Sequence, residues 1–310
     1  MDRTLVVGCG FIGSHVVSEL AAQGTPPAVL TRSRPRAPEV AAAIEEGGLH
    51  LGDAADPEVL AAALEGVGRV AYCAGGLLPA AAERDPERDR ELTLEPLRSV
   101  LRALRQRPDV RFAYISSGGT IYGNPVRLPA HEEDPATPIS AYGAVHLACE
   151  EEIEAERREH GLRSRILRCS TVYGEHQEPD RGQGAIVTFL SRIQRGAEIE
   201  LYGDGATIRD YVYAGDVARA TVALLASDDP TPVVNVGAGA GTSLIDVLRM
   251  AESEVGREAR IERRGERPFE VHQIVLDTGR LHRLVELEIT PLEEGIRLTH
   301  RWLVAAAGAR

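Results

Sequence analysis

The run Thr4-Leu5-Val6-Val7 leads without interruption into Gly8-Cys9-Gly10-Phe11-Ile12-Gly13-Ser14-His15, and this junction restricts the fold more than any other stretch of the chain. In a GxGxxG loop between a strand and a helix, the first glycine allows the tight turn. The second lets the backbone approach a pyrophosphate, and the third lets the helix pack closely on the strand. Unpaired N–H groups and the dipole at the helix start then favour phosphate charge. The bare motif is weak evidence. In this setting it predicts a dinucleotide site that uses Gly8, Gly10, Phe11, Ile12 and Gly13.

Beyond the loop the chain alternates. Short apolar runs at residues 5–7, 28–31, 49–51, 70–73, 112–116 and 166–169 read as strands, and amphipathic stretches at 13–23, 57–64, 88–105 and 142–160 read as helices. This alternation predicts an α/β protein: a doubly wound parallel (Rossmann) sheet with helices on both faces. Past residue 174 the rhythm loosens. A polar loop at 175–184 precedes helices at 185–195, 216–226 and 244–255, short runs at 198–202 and 233–236, and a last helix at 292–303. Residues 1–171 are expected to form the dinucleotide-binding domain, with elements near 206–236 returning to it. Residues 172–205 and 237–310 are expected to build a smaller substrate-binding lobe.

The strand ends bear on the cofactor. An acid after the second strand would take a ribose 2′-hydroxyl, as in NAD binders. This chain has Thr31-Arg32-Ser33-Arg34 instead. Arg32 and Arg34, helped by Ser33, offer guanidinium forks for a 2′-phosphate, although a solvated basic loop has the same composition. The expected cofactor is NADP or NAD, with NADP slightly favoured. Asp53 and Ala54 after the third strand, and Ala74 after the fourth, complete the expected contacts. Asp53 is placed to reach an adenine amino group or to serve as a turn carboxylate.

Bulk properties exclude several classes. A net charge of −12 argues against a nucleic-acid partner, which needs a basic surface. No apolar run is long enough to span a bilayer, so no membrane role is expected. Met1-Asp2-Arg3 enters the first strand directly, so no secretion signal is expected. Cys9, Cys73, Cys149 and Cys169 are scattered without a CxxC pair. That spacing predicts free thiols in a reducing cytoplasm and no metal site.

The chemistry gathers at the fifth strand and the helix after it. Tyr114-Ile115-Ser116-Ser117-Gly118-Gly119-Thr120-Ile121-Tyr122-Gly123 places small hydroxyl residues where open α/β sheets hold ligands. Ser117 and Thr120 are the candidates to hydrogen-bond a substrate alcohol or carbonyl. Tyr142 enters the same crevice from the next helix. A phenol serves as general acid/base in alcohol oxidation only when its pKa, about 10 in water, is lowered, normally by a nearby cation. His146 lies one turn beyond Tyr142 on the same face. All 35 residues in the Lys+Arg count are arginines, so no lysine supplies that cation. An imidazole, with a reference pKa of about 6.5, is mostly neutral at pH 7 but can still donate a hydrogen bond to a cofactor ribose.

These motifs, in this order, resemble those of the extended short-chain dehydrogenase/reductases, in particular the NAD-dependent epimerase/dehydratases of the UDP-glucose 4-epimerase type. The resemblance covers nearly the whole chain. It includes the glycine loop, residues 116–123, Tyr142-Gly143-Ala144-Val145-His146 in place of YxxxK, residues 168–174, residues 203–212 and residues 267–271. It implies a nicotinamide-dependent enzyme acting on a nucleotide-diphosphate sugar or a related keto substrate. Tyr142 would be the acid/base, and Ser117 and Thr120 its hydroxyl partners. Thr171, Arg209 and Arg267 would face the substrate. A homodimer paired through the helices near 88–105 and 142–160 is also implied.

Departures from the family pattern keep three readings open. His146 replaces the lysine, Thr171 an asparagine, Val7 a loop glycine and Thr31-Arg32 the NAD-selecting acid. Gly118 stands where many relatives carry the catalytic serine. The leading expectation is an epimerase that oxidises a sugar carbon transiently. The alternatives are an NADPH-dependent ketoreductase and a catalytically weakened homologue that only binds dinucleotide or sugar nucleotide.

Overall fold

The computed structural model describes residues 3–35, 37–179, 183–265 and 271–308. In chain order the first half contains β1 (Arg3–Val7), α1 (Phe11–Ala22), β2 (Ala28–Thr31), α2 (Pro38–Gly47), β3 (Leu49–Leu51), α3 (Pro57–Ala63), β4 (Val67–Tyr72), α4 (Pro79–Ala82), α5 (Pro86–Leu104), β5 (Arg111–Ser117), α6 (Gly118–Ile121), α7 (Ala141–His160) and β6 (Arg163–Cys169). The rest contains β7 (Thr171–Tyr173), α8 (Ala185–Arg195), β8 (Glu198–Tyr202), β9 (Ile208–Tyr213), α9 (Ala214–Ala226), β10 (Val233–Val236), β11 (Gly241–Ser243), α10 (Leu244–Val255), β12 (Arg260–Arg264), β13 (Gln273–Ile274), α11 (Gly279–Leu284) and α12 (Leu292–Gly308).

Seven strands pair in the order β10-β6-β5-β4-β1-β2-β3, all parallel. Strands buried on both faces read as continuous apolar runs, which is why Leu5-Val6-Val7 and Ala28-Val29-Leu30 lack alternation. Helices α1, α2 and α9 cover one face with Val16, Val17, Ile44 and Val217, and α3, α5 and α7 cover the other with Leu60, Leu97, Cys149 and Ile153. From β1 the chain steps outward through β2 and β3, then crosses back to β4 and proceeds the other way. That reversal leaves a crevice at the carboxyl ends of β1 and β4, the place where such sheets bind ligands.

The apolar pattern alone leaves α2 unassigned, although Pro38 at its first turn, Glu39 behind it and buried Val40, Ala43 and Ile44 at helical spacing all mark a helix. The seventh strand, β10, comes from far down the chain and pairs with β6 from Val233 opposite Ile166 to Val236 opposite Cys169. Later elements form a second body, although α11 packs with Leu281 on the large sheet. Strand β9 pairs with β7, β11 and β13, while β8 pairs with β12. Helices α8, α10 and α12 close over them with Ile186, Leu190, Val247, Leu248 and Ile296.

One buried polar network ties the large sheet to α7. The Ser116 hydroxyl donates to Glu150 Oε1 at 2.6 Å, and Arg168 grips the same carboxylate, Nη2 to Oε2 at 2.7 Å. Arg168 Nη1 also donates to the Tyr122 hydroxyl at 3.0 Å, which in turn donates to Asn235 Oδ1 at 2.7 Å. Burial lowers the guanidinium's proton affinity, but Glu150 more than offsets this, so Arg168 stays firmly charged. The network joins β5, β6, β10 and α7 immediately below Ser117.

Candidate active site

The glycine loop is shaped by contacts that exclude side chains. Gly8 sits at φ +88°, and a Cβ there would lie 2.6 Å from the Ala74 backbone, where the chains leaving β1 and β4 meet. A Cβ on Gly13 would fall 1.9 Å from Gly8 O, so α1 packs directly on the turn. Gly10 is different: nothing lies within 4 Å of where its Cβ would be, and the backbone faces open space. Gly10 is the N-cap of α1, whose first turn has neither a side-chain cap nor an acidic residue. Its N–H groups are therefore left for an outside acceptor, and the loop fits a pyrophosphate. Phe11 and Ile12 open α1, both half-buried.

At the end of β2, Arg32, Ser33 and Arg34 are exposed. Asp53 Oδ1 accepts from Ala55 N at 2.9 Å, so Asp53 does serve as a turn carboxylate. Ala54 is buried beside it.

The catalytic candidates come together at the mouth of β5. Thr120 Oγ1 donates to Ser117 Oγ at 2.8 Å, so the two candidate hydroxyls form one pair. Position 118 has no room for a side chain: a Cβ would lie 2.7 Å from Arg168 O and 2.8 Å from Leu276 Cδ1. Helix α7 starts on Ser140, whose hydroxyl accepts from Gly143 N at 3.1 Å, while Glu83 Oε1 accepts from Ala141 N at 2.6 Å. A Cβ on Gly143 would stand 3.1 Å from Thr120 O, so the turn carrying Tyr142 packs against the backbone of Thr120.

Tyr142 is half-buried, and its ring centroid is 4.5 Å from that of His146. Burial pushes the Tyr142 phenol well above its usual range, and the Asp89 carboxylate adds to the shift. His146 is buried, and desolvation lowers it to about 4, so it is neutral at pH 7. Its Nδ1 lies 2.9 Å from the hydroxyl of Tyr114, a fully buried residue of β5. Asp89, on α5, is also buried and accepts from Leu77 N at 2.7 Å. Glu83, Asp89 and Tyr114 were not among the sequence candidates. Only Asp89 left a trace, as an acid on the apolar stripe of α5.

On the second body, Thr171 begins β7, and its hydroxyl would be 3.7 Å from a Cβ on Gly119. Arg209 lies on β9, half-buried, with Nη1 donating to Ile208 O at 2.9 Å. Its neighbour Asp210 is fully buried and accepts from the backbone N–H groups of Ala238 and Leu276; burial nevertheless raises it to about 6. Arg267 lies outside the described residues. The two bodies meet at His15 on α1, whose Nε2 is 2.9 Å from Glu175 O, while Tyr213 donates to the Glu175 carboxylate at 2.7 Å. Among the described residues no His/Cys/Asp/Glu group is arranged to hold a metal ion.

Residues 4–237 match the family model described as the NAD dependent epimerase/dehydratase family. The chain belongs to the NAD-dependent epimerase/dehydratase family. Its similarity to individual members is spread along the whole length. The UDP-glucose 4-epimerase of Thermus thermophilus, in complex with NAD, is 31% identical, with a TM-score of 0.89 over 98% of this chain and 99% of that one. The UDP-glucose 4-epimerase of Thermotoga maritima, with UDP-glucose, is 29% identical, with a TM-score of 0.91 and the same coverage. A dTDP-4-dehydro-6-deoxy-D-allose reductase of Streptomyces bikiniensis is 30% identical over 316 residues, covering 97% of this chain and 96% of that protein. Both epimerases and a reductase therefore resemble this family member closely.

Proposed function

We propose that this enzyme is a nicotinamide-dependent epimerase of a nucleotide-diphosphate sugar, working through a transient ketone. The observation that carries the proposal is the packing of the Tyr142 turn on the backbone of Thr120, whose side chain forms the hydroxyl pair with Ser117 at the carboxyl edge of the sheet. Gly8, Gly10, Phe11, Ile12 and Gly13 would hold the cofactor's pyrophosphate, with Asp53, Ala54 and Ala74 around its nucleotide and Arg32 and Ser33 at its 2′ position. Bound there, the nicotinamide supplies hydride acceptance and return at one sugar carbon. The Ser117–Thr120 pair orients the sugar hydroxyl. Tyr142 Oη takes the proton on oxidation and gives it back on reduction. Thr171, Arg209 and Arg267 would face the sugar nucleotide, where guanidinium groups suit a diphosphate.

A second reading, an NADPH-dependent ketoreductase, draws on two observations. Arg32 stands exposed where an NAD binder carries an acid, and the Tyr142 phenol is held in its protonated, donating form at neutral pH. Denaturing the purified protein and identifying the released dinucleotide separates the two. Tightly held NAD supports the epimerase. An empty site that consumes NADPH with a keto-sugar replaces that reading with the reductase.

The raised phenol gives a pH prediction. Oxidation needs the deprotonated phenol, a form that gains about tenfold per pH unit below the pKa, so the oxidative rate should climb from neutral into alkaline pH. His146→Lys puts a cation one turn from the phenol and stabilises the phenolate. The rising limb should then move to lower pH, read from kcat against pH. An unmoved limb would show that position 146 does not tune Tyr142.

The proposal includes a homodimer paired through α5 and α7, which within one chain are joined by Arg98–Glu152 and Arg105–Glu156 ion pairs. Among the described residues no helix is long and apolar enough to cross a membrane. The four cysteines are free thiols, Cys149 and Cys169 fully buried, and a cytoplasmic setting fits them.

A further inference from the structure

His146 lies between two phenols, and they differ in kind. Tyr142 packs its ring, tilted, against the imidazole with the centroids 4.5 Å apart, while Tyr114 meets its edge, hydroxyl to Nδ1, at 2.9 Å. A neutral imidazole carries one N–H and one lone pair, and the bond made by one ring nitrogen decides which nitrogen holds the proton. A phenol O–H is a good donor and, because its oxygen lone pair delocalises into the ring, a poor acceptor. An imidazole lone pair is a good acceptor. The Tyr114 hydroxyl also meets the Cys149 thiol, a weak acceptor, so across 2.9 Å the favoured arrangement is Tyr114 O–H donating to bare Nδ1, which leaves the proton of His146 on Nε2. Burial acts in the same sense, since it raises the Tyr114 phenol and keeps the imidazole neutral.

We propose that Tyr114 is a positioning residue: its hydroxyl fixes His146 as a neutral Nε2–H donor, presented to the nicotinamide nucleotide in place of a lysine ammonium. The assignment rests on the reading that this cleft holds that nucleotide. The site thus has a hydrogen-bond donor where a relative with lysine has a charge. It keeps the orientation of the cofactor and gives up the field on Tyr142. Protonating His146 would turn Nδ1 into a donor facing the Tyr114 O–H, so the couple also resists becoming a cation.

Nitrogen-15 spectra of the protein labelled at its histidine rings test this directly, with the His146 signals assigned from a His146→Gln sample. The wild type at neutral pH should show a protonated Nε2 and a bare Nδ1. In Tyr114→Phe, which keeps the ring and removes the hydroxyl, the tautomers should mix. Affinity for NADH and NADPH, each titrated by fluorescence, should fall about twofold, the cost of drawing an evenly mixed population back to the Nε2–H form. His146→Gln, whose amide reproduces the Nε2–H donor, should keep the affinity that His146→Leu loses. A protonated Nδ1 in the wild type overturns the proposal, as does a Tyr114→Phe protein with unchanged tautomer and affinity. If Tyr114→Phe does not fold, the wild-type spectrum decides alone. These readouts involve no turnover. Failure of the catalytic reading would appear instead as full activity in Tyr142→Phe, with the tautomer pattern intact.

Discussion

Tyr142→Phe is expected to lower turnover by about 10²-fold or more, the usual worth of a positioned general acid/base, while leaving folding and dinucleotide affinity nearly intact. The ring that packs on His146 remains and only the oxygen goes. The half-buried phenol has its backbone anchored by the Ser140 cap and the Glu83 carboxylate, so the substitution should not disturb the helix start. The Ser117–Thr120 hydroxyls would still orient the sugar, so substrate KM should change much less than kcat. Turnover within a few-fold of wild type would show that another group moves the proton. Intact dinucleotide binding in a wild-type protein that turns over no nucleotide sugar would favour the weakened homologue instead.

The second large effect concerns stability. Arg168→Leu should destabilise the protein by about 3–5 kcal/mol, because it leaves the Glu150 carboxylate buried with, among the described residues, only the Ser116 hydroxyl bonded to it. The double variant Glu150→Leu/Arg168→Leu removes both charges and should recover much of that loss, since a buried pair is worth far less than the penalty of a lone buried ion. Urea unfolding of the three proteins measures both numbers. A single variant within about 1 kcal/mol of wild type would mean that water reaches Glu150 and the network is not dry. Because Ser116 precedes Ser117, a milder lesion such as Ser116→Ala is the way to ask whether the network also steadies the reacting edge.

Much of this arrangement is legible in the residues alone. The glycine loop, the six apolar runs of the first half and the returning run at 233–236 all carry their own signal, because strands buried on both faces are mostly apolar, with Ser116, Arg168 and Asn235 among the buried polar exceptions. What escapes is short or long-range. Strands β11 and β13 are too brief to show a period. Strand β9 mixes buried Asp210 with half-buried Arg209, so it reads as a motif and not as a strand. The partners of His146 cannot be read at all: Tyr114 lies 32 positions away on another element, and no local pattern links them. The hydrogen bond between the two candidate hydroxyls, Ser117 and Thr120, is likewise invisible in the sequence. Gly118 illustrates the reverse: its identity is plain, while the reason for it, the Arg168 carbonyl behind it, needs three dimensions.

The late arrival of β10 has a practical consequence for anyone wishing to exchange specificities between relatives. A fragment cut after residue 205 would lose the strand that covers β6, baring a ladder edge flanked by Ile166, Leu167 and Cys169. Such an edge invites pairing with other chains. Chimaeras should therefore be spliced in two places, grafting the segments on either side of α9 and β10 while leaving that returning helix and strand with their host.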